Sequence, residues 1–218
     1  MPIEPRKPIL CYVTDRRALE AAPLSSNDSL PNDPVVRGAR SLEGCILRAA
    51  AAGASWIQIR EKDLPGRALV ELARFAIAEM RATSARVLVN DRLDVALAAN
   101  AAGVHLGEKS IALETVVEWR RSSGRQDFLI GVSCHSLGSA RAAGRAGADY
   151  IFFGPVYATP SKAAFGTPQG IEGLREVCAA VEIPVLAIGG VNLQNAGACL
   201  AAGAVGIAAI RLFQDGAK

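Results

Sequence analysis

The chain has 218 residues, 50% of them hydrophobic and 21% charged, and its formal net charge of +3 is scattered among Lys, Arg, Asp and Glu rather than gathered into runs. That length can bury one sizeable core, and the mixed charge argues against a nucleic-acid or membrane surface. Five cysteines in apolar segments show no CxxC spacing, which fits free thiols in a cytoplasmic setting. No apolar run has signal-peptide or bilayer-spanning length.

The first β-prone run is ILCYVTD near residues 9–15, ending in Thr14 and Asp15. Residues 21–40, rich in Ser, Asn, Asp and Pro, read as a long polar loop. An alanine-rich helical stretch then stops at Gly53 and leads into the strand WIQI. Helical periodicity in RALVELARFAIAEMRA precedes RVLVND near 86–91, and NAAGVHL around Gly103 carries a fourth strand. FLIGVS near 128–133, ADYIFF after Gly147, PVLAIGG near 184–190 and AVGIAAI after Gly203 complete eight. Gly53, Gly103, Gly147 and Gly203 each stand where a helix gives way to a strand, a place for the left-handed residue that ends a helix.

Strands that are near-continuous apolar runs, each separated by a helix, predict a parallel sheet covered by helices. Eight such units predict a (β/α)8 TIM barrel, one domain over residues 1–218. An open doubly wound sheet would share much of the pattern, but no GxGxxG opens a helix after the first strand. The chain stops soon after the eighth strand, so the last helix is expected to be short or missing.

Polar groups at the C-terminal ends of barrel strands are the expected site. Alternation along WIQIREK puts Gln58, Arg60 and Lys62 on one face and Ile57 and Ile59 on the other. If the isoleucines face the helices, the polar three point into the barrel mouth, and two cations there suit an anionic ligand. The competing reading pairs Arg60 or Lys62 with Glu61 or Asp63 on the rim. Asp91, ending RVLVND, could hold a magnesium ion whose other ligands are phosphate oxygens and water. Its plainer role would be to cap a helix starting at Leu93. Gly189 and Gly190 allow backbone N–H groups close to a phosphate, although paired glycines also serve tight turns.

In order along the chain, YVTD at 12–15, QIREK at 58–62, VNDRLDVALA at 89–98, GVHLG at 103–107, GVSCHS at 131–136, GPVYATPSK at 154–162, IGGV at 188–191 and GAVGIA at 203–208 resemble the thiamine phosphate synthase family. The resemblance covers nearly the whole chain. It implies a Mg2+-dependent transferase that couples 4-amino-2-methyl-5-hydroxymethylpyrimidine diphosphate to 4-methyl-5-(2-hydroxyethyl)thiazole phosphate with release of diphosphate. It further implies that Gln58, Arg60, Lys62, Asn90 and Lys162 contact the pyrimidine diphosphate, that Ser133 lies beside the pyrimidine, and that Thr159, Ser161, Gly190, Ile210 and Arg211 cradle the thiazole phosphate. Asp91, helped by Glu108, would hold the metal, and the catalytic set would be Arg60, Lys62, Lys162, Ser133 and His135.

Two positions depart from the family's pattern. Where it carries a second metal-binding aspartate this chain has Ser110, and Arg211 stands where a small residue is usual. These departures keep a sister family in view, thiazole tautomerase, in which His135 would be the acid-base group. A barrel that binds thiamine precursors without turnover is the non-enzymatic alternative. The implied partners are small molecules, with neither nucleic acid nor membrane, and a homo-oligomer is compatible with the sequence. His105 reads as a hydrogen-bonded barrel residue rather than a metal ligand, since one histidine makes no cluster.

Overall fold

Eight short runs of β-branched, aliphatic and aromatic residues form strands in the computed structural model, which describes residues 7–20, 34–83, 85–159 and 167–214. They are β1 (Ile9–Val13), β2 (Trp56–Ile59), β3 (Arg86–Asn90), β4 (Gly103–Leu106), β5 (Leu129–Cys134), β6 (Tyr150–Phe153), β7 (Val185–Ile188) and β8 (Gly206–Ala209). Each pairs in parallel with its sequence neighbours, and β8 closes on β1 with Cys11 opposite Ala208. Between them lie α1 (Arg16–Glu20), α2 (Pro34–Ala51), α3 (Gly66–Met80), α4 (Leu93–Ala99), α5 (Leu113–Ser122), α6 (Leu137–Ala146), α7 (Gly170–Ala180) and α8 (Ala196–Ala201). The expected short final helix is α9 (Arg211–Gln214). Gln214 ties it back to β1, donating to the Tyr12 hydroxyl and to the Asp15 carbonyl.

Strand alternation sorts the side chains into two sets. Ile9, Cys11, Val13, Trp56, Leu88, Leu129, Tyr150, Phe152, Leu186 and Ala208 form the cluster inside the barrel. Ile57, Ile59, Val87, Val89 and Val104 instead join the helices outside. Gln58 and Asn90 share the inward parity of Trp56 and Leu88, so they stand above that inner cluster at the C-terminal end. Bulky inner residues are matched by glycines on adjoining strands: a Cβ on Gly131 would lie 2.0 Å from the Tyr150 ring, and one on Gly206 would lie 2.2 Å from the Ile9 carbonyl.

The structure corrects two expectations. Residues 34–40, expected within the polar loop, belong to α2, which begins at Pro34; residues 21–33 lie outside the described residues. Proline in a first helical turn sacrifices no hydrogen bond, and Leu42, Cys45, Ile46 and Ala49 keep a buried stripe at helical spacing. The second correction concerns Gly103. Gly53, Gly147 and Gly203 have positive φ as expected, but α4 ends on Asn100 at φ 56°, and Gly103 is already a strand residue. Asparagine tolerates the left-handed region, whereas Gly103 is needed because a Cβ would meet the Leu129 carbonyl at 2.2 Å.

Candidate active site

The C-terminal ends of β2, β3 and β4 are joined by a chain of hydrogen bonds. Gln58, 2% exposed, donates from Nε2 to Asn90 Oδ1 at 2.8 Å, and Asn90 Nδ2 donates to Asp91 Oδ2 at 2.7 Å. Asp91 has φ 62°, a backbone conformation rare for a residue with a side chain. Its N–H donates to the His105 carbonyl, and its Oδ1 accepts from the Gly107 N–H at 3.2 Å and from the Ser110 hydroxyl. The carboxylate can only accept, so it dictates the orientation of both amides in turn. Asn90 must offer it nitrogen, Gln58 must offer nitrogen to the Asn90 oxygen, and Gln58 Oε1 is left as a buried acceptor with no hydrogen bond among the described residues.

Asp91 is therefore not the cap of α4, whose N-cap is Arg92 with no side-chain hydrogen bond. Three of its roughly four lone-pair positions are occupied by neutral donors. One more ligand fits, which suits a hard cation that takes its remaining oxygens from phosphate and water. Ser110, which stands where a second aspartate was expected from the resemblance, is the hydroxyl that braces Asp91. Glu108 is 64% exposed, with its carboxylate 3.9 Å from His135 Nε2. Among the described residues no three His, Cys, Asp or Glu side chains form a metal-holding group.

Arg60 follows the end of β2, its N–H donating to the buried Thr14 hydroxyl at 2.8 Å. Its guanidinium stands 3.9 Å from Asp15. The rim pairing foreseen with Glu61 or Asp63 is not formed, because Asp63 is taken by Arg16 and Arg17, and both Glu61 carboxylate oxygens accept the Arg16 N–H. Burial pushes the Glu61 carboxyl above the usual glutamate value, outweighing hydrogen bonds from Thr14 and Arg16. Lys62 is exposed and pairs with no described residue. Of the three alternating polar residues, Gln58 is deep in the mouth, Arg60 stands at its edge and Lys62 is on the rim.

On the other side of the mouth, Ser133 is half-buried, and its Oγ lies 2.9 Å from His105 Nε2. His105 is 1% exposed and also meets the Tyr150 hydroxyl at 3.1 Å, so it is the hydrogen-bonded barrel residue its sequence context suggested. His135 Nδ1 hydrogen-bonds the Gly154 carbonyl, linking the loop after β5 to the end of β6. A Ser136–Ser139 capping box starts α6 and also takes the His135 N–H, which fixes this loop.

Gly189 and Gly190, at φ 93° and 67°, bring the turn after β7 against the segment after β6; a Cβ on Gly190 would lie 2.7 Å from that of Tyr157. Thr159 and Ile210 are half-buried, and Arg211 is exposed at the start of α9, pairing with no described residue. Ser161 and Lys162 lie outside the described residues. Sequence reasoning missed Tyr150, which reads as one more aromatic in YIFF. The signal lay on another strand, in the Gly131 that makes room for its ring.

A family model described as thiamine monophosphate synthase matches residues 33–213. The chain is 45% identical to the thiamine-phosphate synthase of Moorella thermoacetica over 79% of its own length and 80% of the relative's. It is 39% identical to that of Roseiflexus castenholzii over 96% of its own length and 82% of the relative's. A solved thiamine phosphate pyrophosphorylase from Pyrococcus furiosus superposes with a TM-score of 0.72 at 34% identity, covering 93% of this chain and 85% of that one. With a match from α2 through β8 and the same barrel in a relative of one-third identity, the chain belongs to the thiamine monophosphate synthase family.

Proposed function

We infer that the barrel mouth performs the coupling of a thiamine phosphate synthase, a transferase reaction that joins 4-amino-2-methyl-5-hydroxymethylpyrimidine diphosphate to 4-methyl-5-(2-hydroxyethyl)thiazole phosphate. The observation that carries this reading at the level of residues is the hydrogen-bond chain ending in Gln58 Oε1. A buried acceptor without a partner is costly unless a ligand donor satisfies it, and the amino group of the pyrimidine supplies one.

The reaction breaks the bond between the pyrimidine methylene and a diphosphate oxygen and forms a bond from that carbon to the thiazole nitrogen. Charge builds on the departing diphosphate, so cations that strengthen their contact as the bond lengthens accelerate the step. Arg60 at the edge of the mouth and Lys62 on its rim take this role, and Lys162 joins them on the resemblance alone. The pyrimidine delocalises the positive charge left on the methylene, so no protein nucleophile is required. Asp91, with one ligand position open, is the residue to hold Mg2+, and Glu108, which follows the Gly107 whose N–H bonds Asp91, would assist through water. When bound, the cation neutralises diphosphate charge. Asn90 orients Gln58 and Asp91 together.

For the thiazole phosphate we propose Thr159, Ser161, Gly190 and the backbone at Ile210 and Arg211. His135, held by the Gly154 carbonyl, organises the loop beside the pyrimidine subsite. All five cysteines are free and four are buried, which supports a reducing cytoplasmic setting. No helix among the described residues is long and apolar enough to cross a membrane. The test is to supply each substrate alone and both together with Mg2+ and to measure diphosphate. Release only with both is expected; isomerisation of a thiazole carboxylate phosphate without diphosphate release would replace this reading with the tautomerase.

A further inference from the structure

Tyr150 is wholly buried inside the barrel, and burial pushes its hydroxyl far above the usual tyrosine value, so it remains a protonated phenol. Its ring fills the space above Gly131, with Trp56 edge-on at 4.7 Å. The hydroxyl lies 3.1 Å from His105 Nδ1, its one hydrogen bond among the described residues. A buried phenol proton needs an acceptor. Tyr150 therefore donates to Nδ1, which selects the imidazole tautomer protonated on Nε2. An imidazolium, or the other tautomer, would leave the phenol proton without a place to go.

The remaining proton has Ser133 within reach. His105 Nε2 stands 2.9 Å from Ser133 Oγ, so Nε2–H donates and the serine oxygen accepts. Phe152, its ring centroid 4.2 Å from that of His105, packs against the imidazole between these partners. With its oxygen already accepting, Ser133 keeps its own proton for whatever occupies the mouth. We propose that Tyr150 and His105 are positioning residues that fix Ser133 as a hydrogen-bond donor to the pyrimidine diphosphate. This rests on the synthase reading of the site. The opposite tautomer would draw the serine proton back towards His105 and present serine lone pairs to a substrate whose ring nitrogens and diphosphate oxygens are themselves acceptors. Tyr150, on the strand beside Ser133 and two strands from His105, thus sets the direction of the bond without touching substrate.

The chain has two histidines, so nitrogen-15 imidazole spectra of the intact protein can be assigned with a single H135Q sample. His105 is expected to carry its proton on Nε2 in the wild type and to shift to Nδ1, or to a mixture, in Y150F. In steady-state assays S133A is expected to lower kcat on the order of a hundredfold and Y150F about tenfold, with no further loss from Y150F in an S133A background. A wild-type His105 protonated on Nδ1 would overturn the proposal, as would losses from Y150F and S133A that multiply. Diphosphate release by the wild type is read separately. If the Nε2 tautomer is present but both substrates give no diphosphate, the synthase reading fails; if release occurs with the wrong tautomer, the relay alone fails.

Discussion

Replacing Arg60 with alanine separates a structural arginine from a ligand-binding one. The ion pair with Asp15 spans 3.9 Å, and its partners are 32% and 24% exposed. Solvent screening holds such a pair to about 0–1 kcal/mol. The stronger tie at this position is the backbone N–H to Thr14 Oγ1 at 2.8 Å, which alanine retains. For a barrel of this size a loss of that order lowers Tm by about 2–4 °C. If the guanidinium instead stabilises charge on departing diphosphate, kcat should fall on the order of 100- to 1000-fold, the cost of removing one preorganised donor. Coupled-enzyme detection of diphosphate with both substrates saturating, together with calorimetric Tm, reads both quantities on one sample. Arg60→Lys should fall between, since lysine keeps the charge but loses the planar fork. Activity of R60A within about threefold of wild type would refute the electrostatic role. A Tm loss several times the expected value would show that the arginine supports the fold instead.

Asp91→Asn should weaken Mg2+ binding in the presence of diphosphate by about tenfold or more, measured by titration calorimetry; it also places an amide where Asn90 Nδ2 needs an acceptor, and unchanged affinity would remove Asp91 from the metal site. Gly131→Ala should destabilise by about 1–3 kcal/mol in urea denaturation because the new methyl overlaps the Tyr150 ring; an unchanged midpoint would contradict that packing. Glu61 gives a pH signature. Its folded pKa is raised by burial, so the folded state binds the proton more tightly, and that stability is present below the unfolded value and lost as pH rises through the folded one. Glu61→Gln lacks this loss, so its stability should gain on the wild type across that window; curves that stay parallel from about pH 4 to 8 would refute the shift.

The buttressing of Asp91 bears on the departure from the pattern that the resemblance implies. Where the resemblance implies a second aspartate, Ser110 brings no charge to the mouth. The same serine supplies a hydroxyl that, with the Gly107 N–H, holds the remaining carboxylate in place. If Asp91 takes a cation as proposed, fixing one oxygen donor rigidly lowers the ordering cost of binding and offsets part of what a second carboxylate would have supplied.

Strand count, parallel pairing, the short last helix and the polar residues that end the strands were legible in the chain itself. They depend on local periodicity and on which residues cap helices, and both act over a few neighbours. Where local signals compete, reading fails: Pro34 was hidden by the polar run before it, and Asn100 took the helix stop that Gly103 seemed made for. The family motifs likewise named Gln58, Asn90, Asp91 and Ser133, but not how they are joined. Which amide faces the Asp91 carboxylate, why Asp63 goes to Arg16 and Arg17, and how Tyr150 reaches His105 depend on register between strands that brings together residues as much as 47 positions apart. That register is set only when the sheet closes on itself, because closure forces a common stagger on all eight strands. No local propensity encodes it.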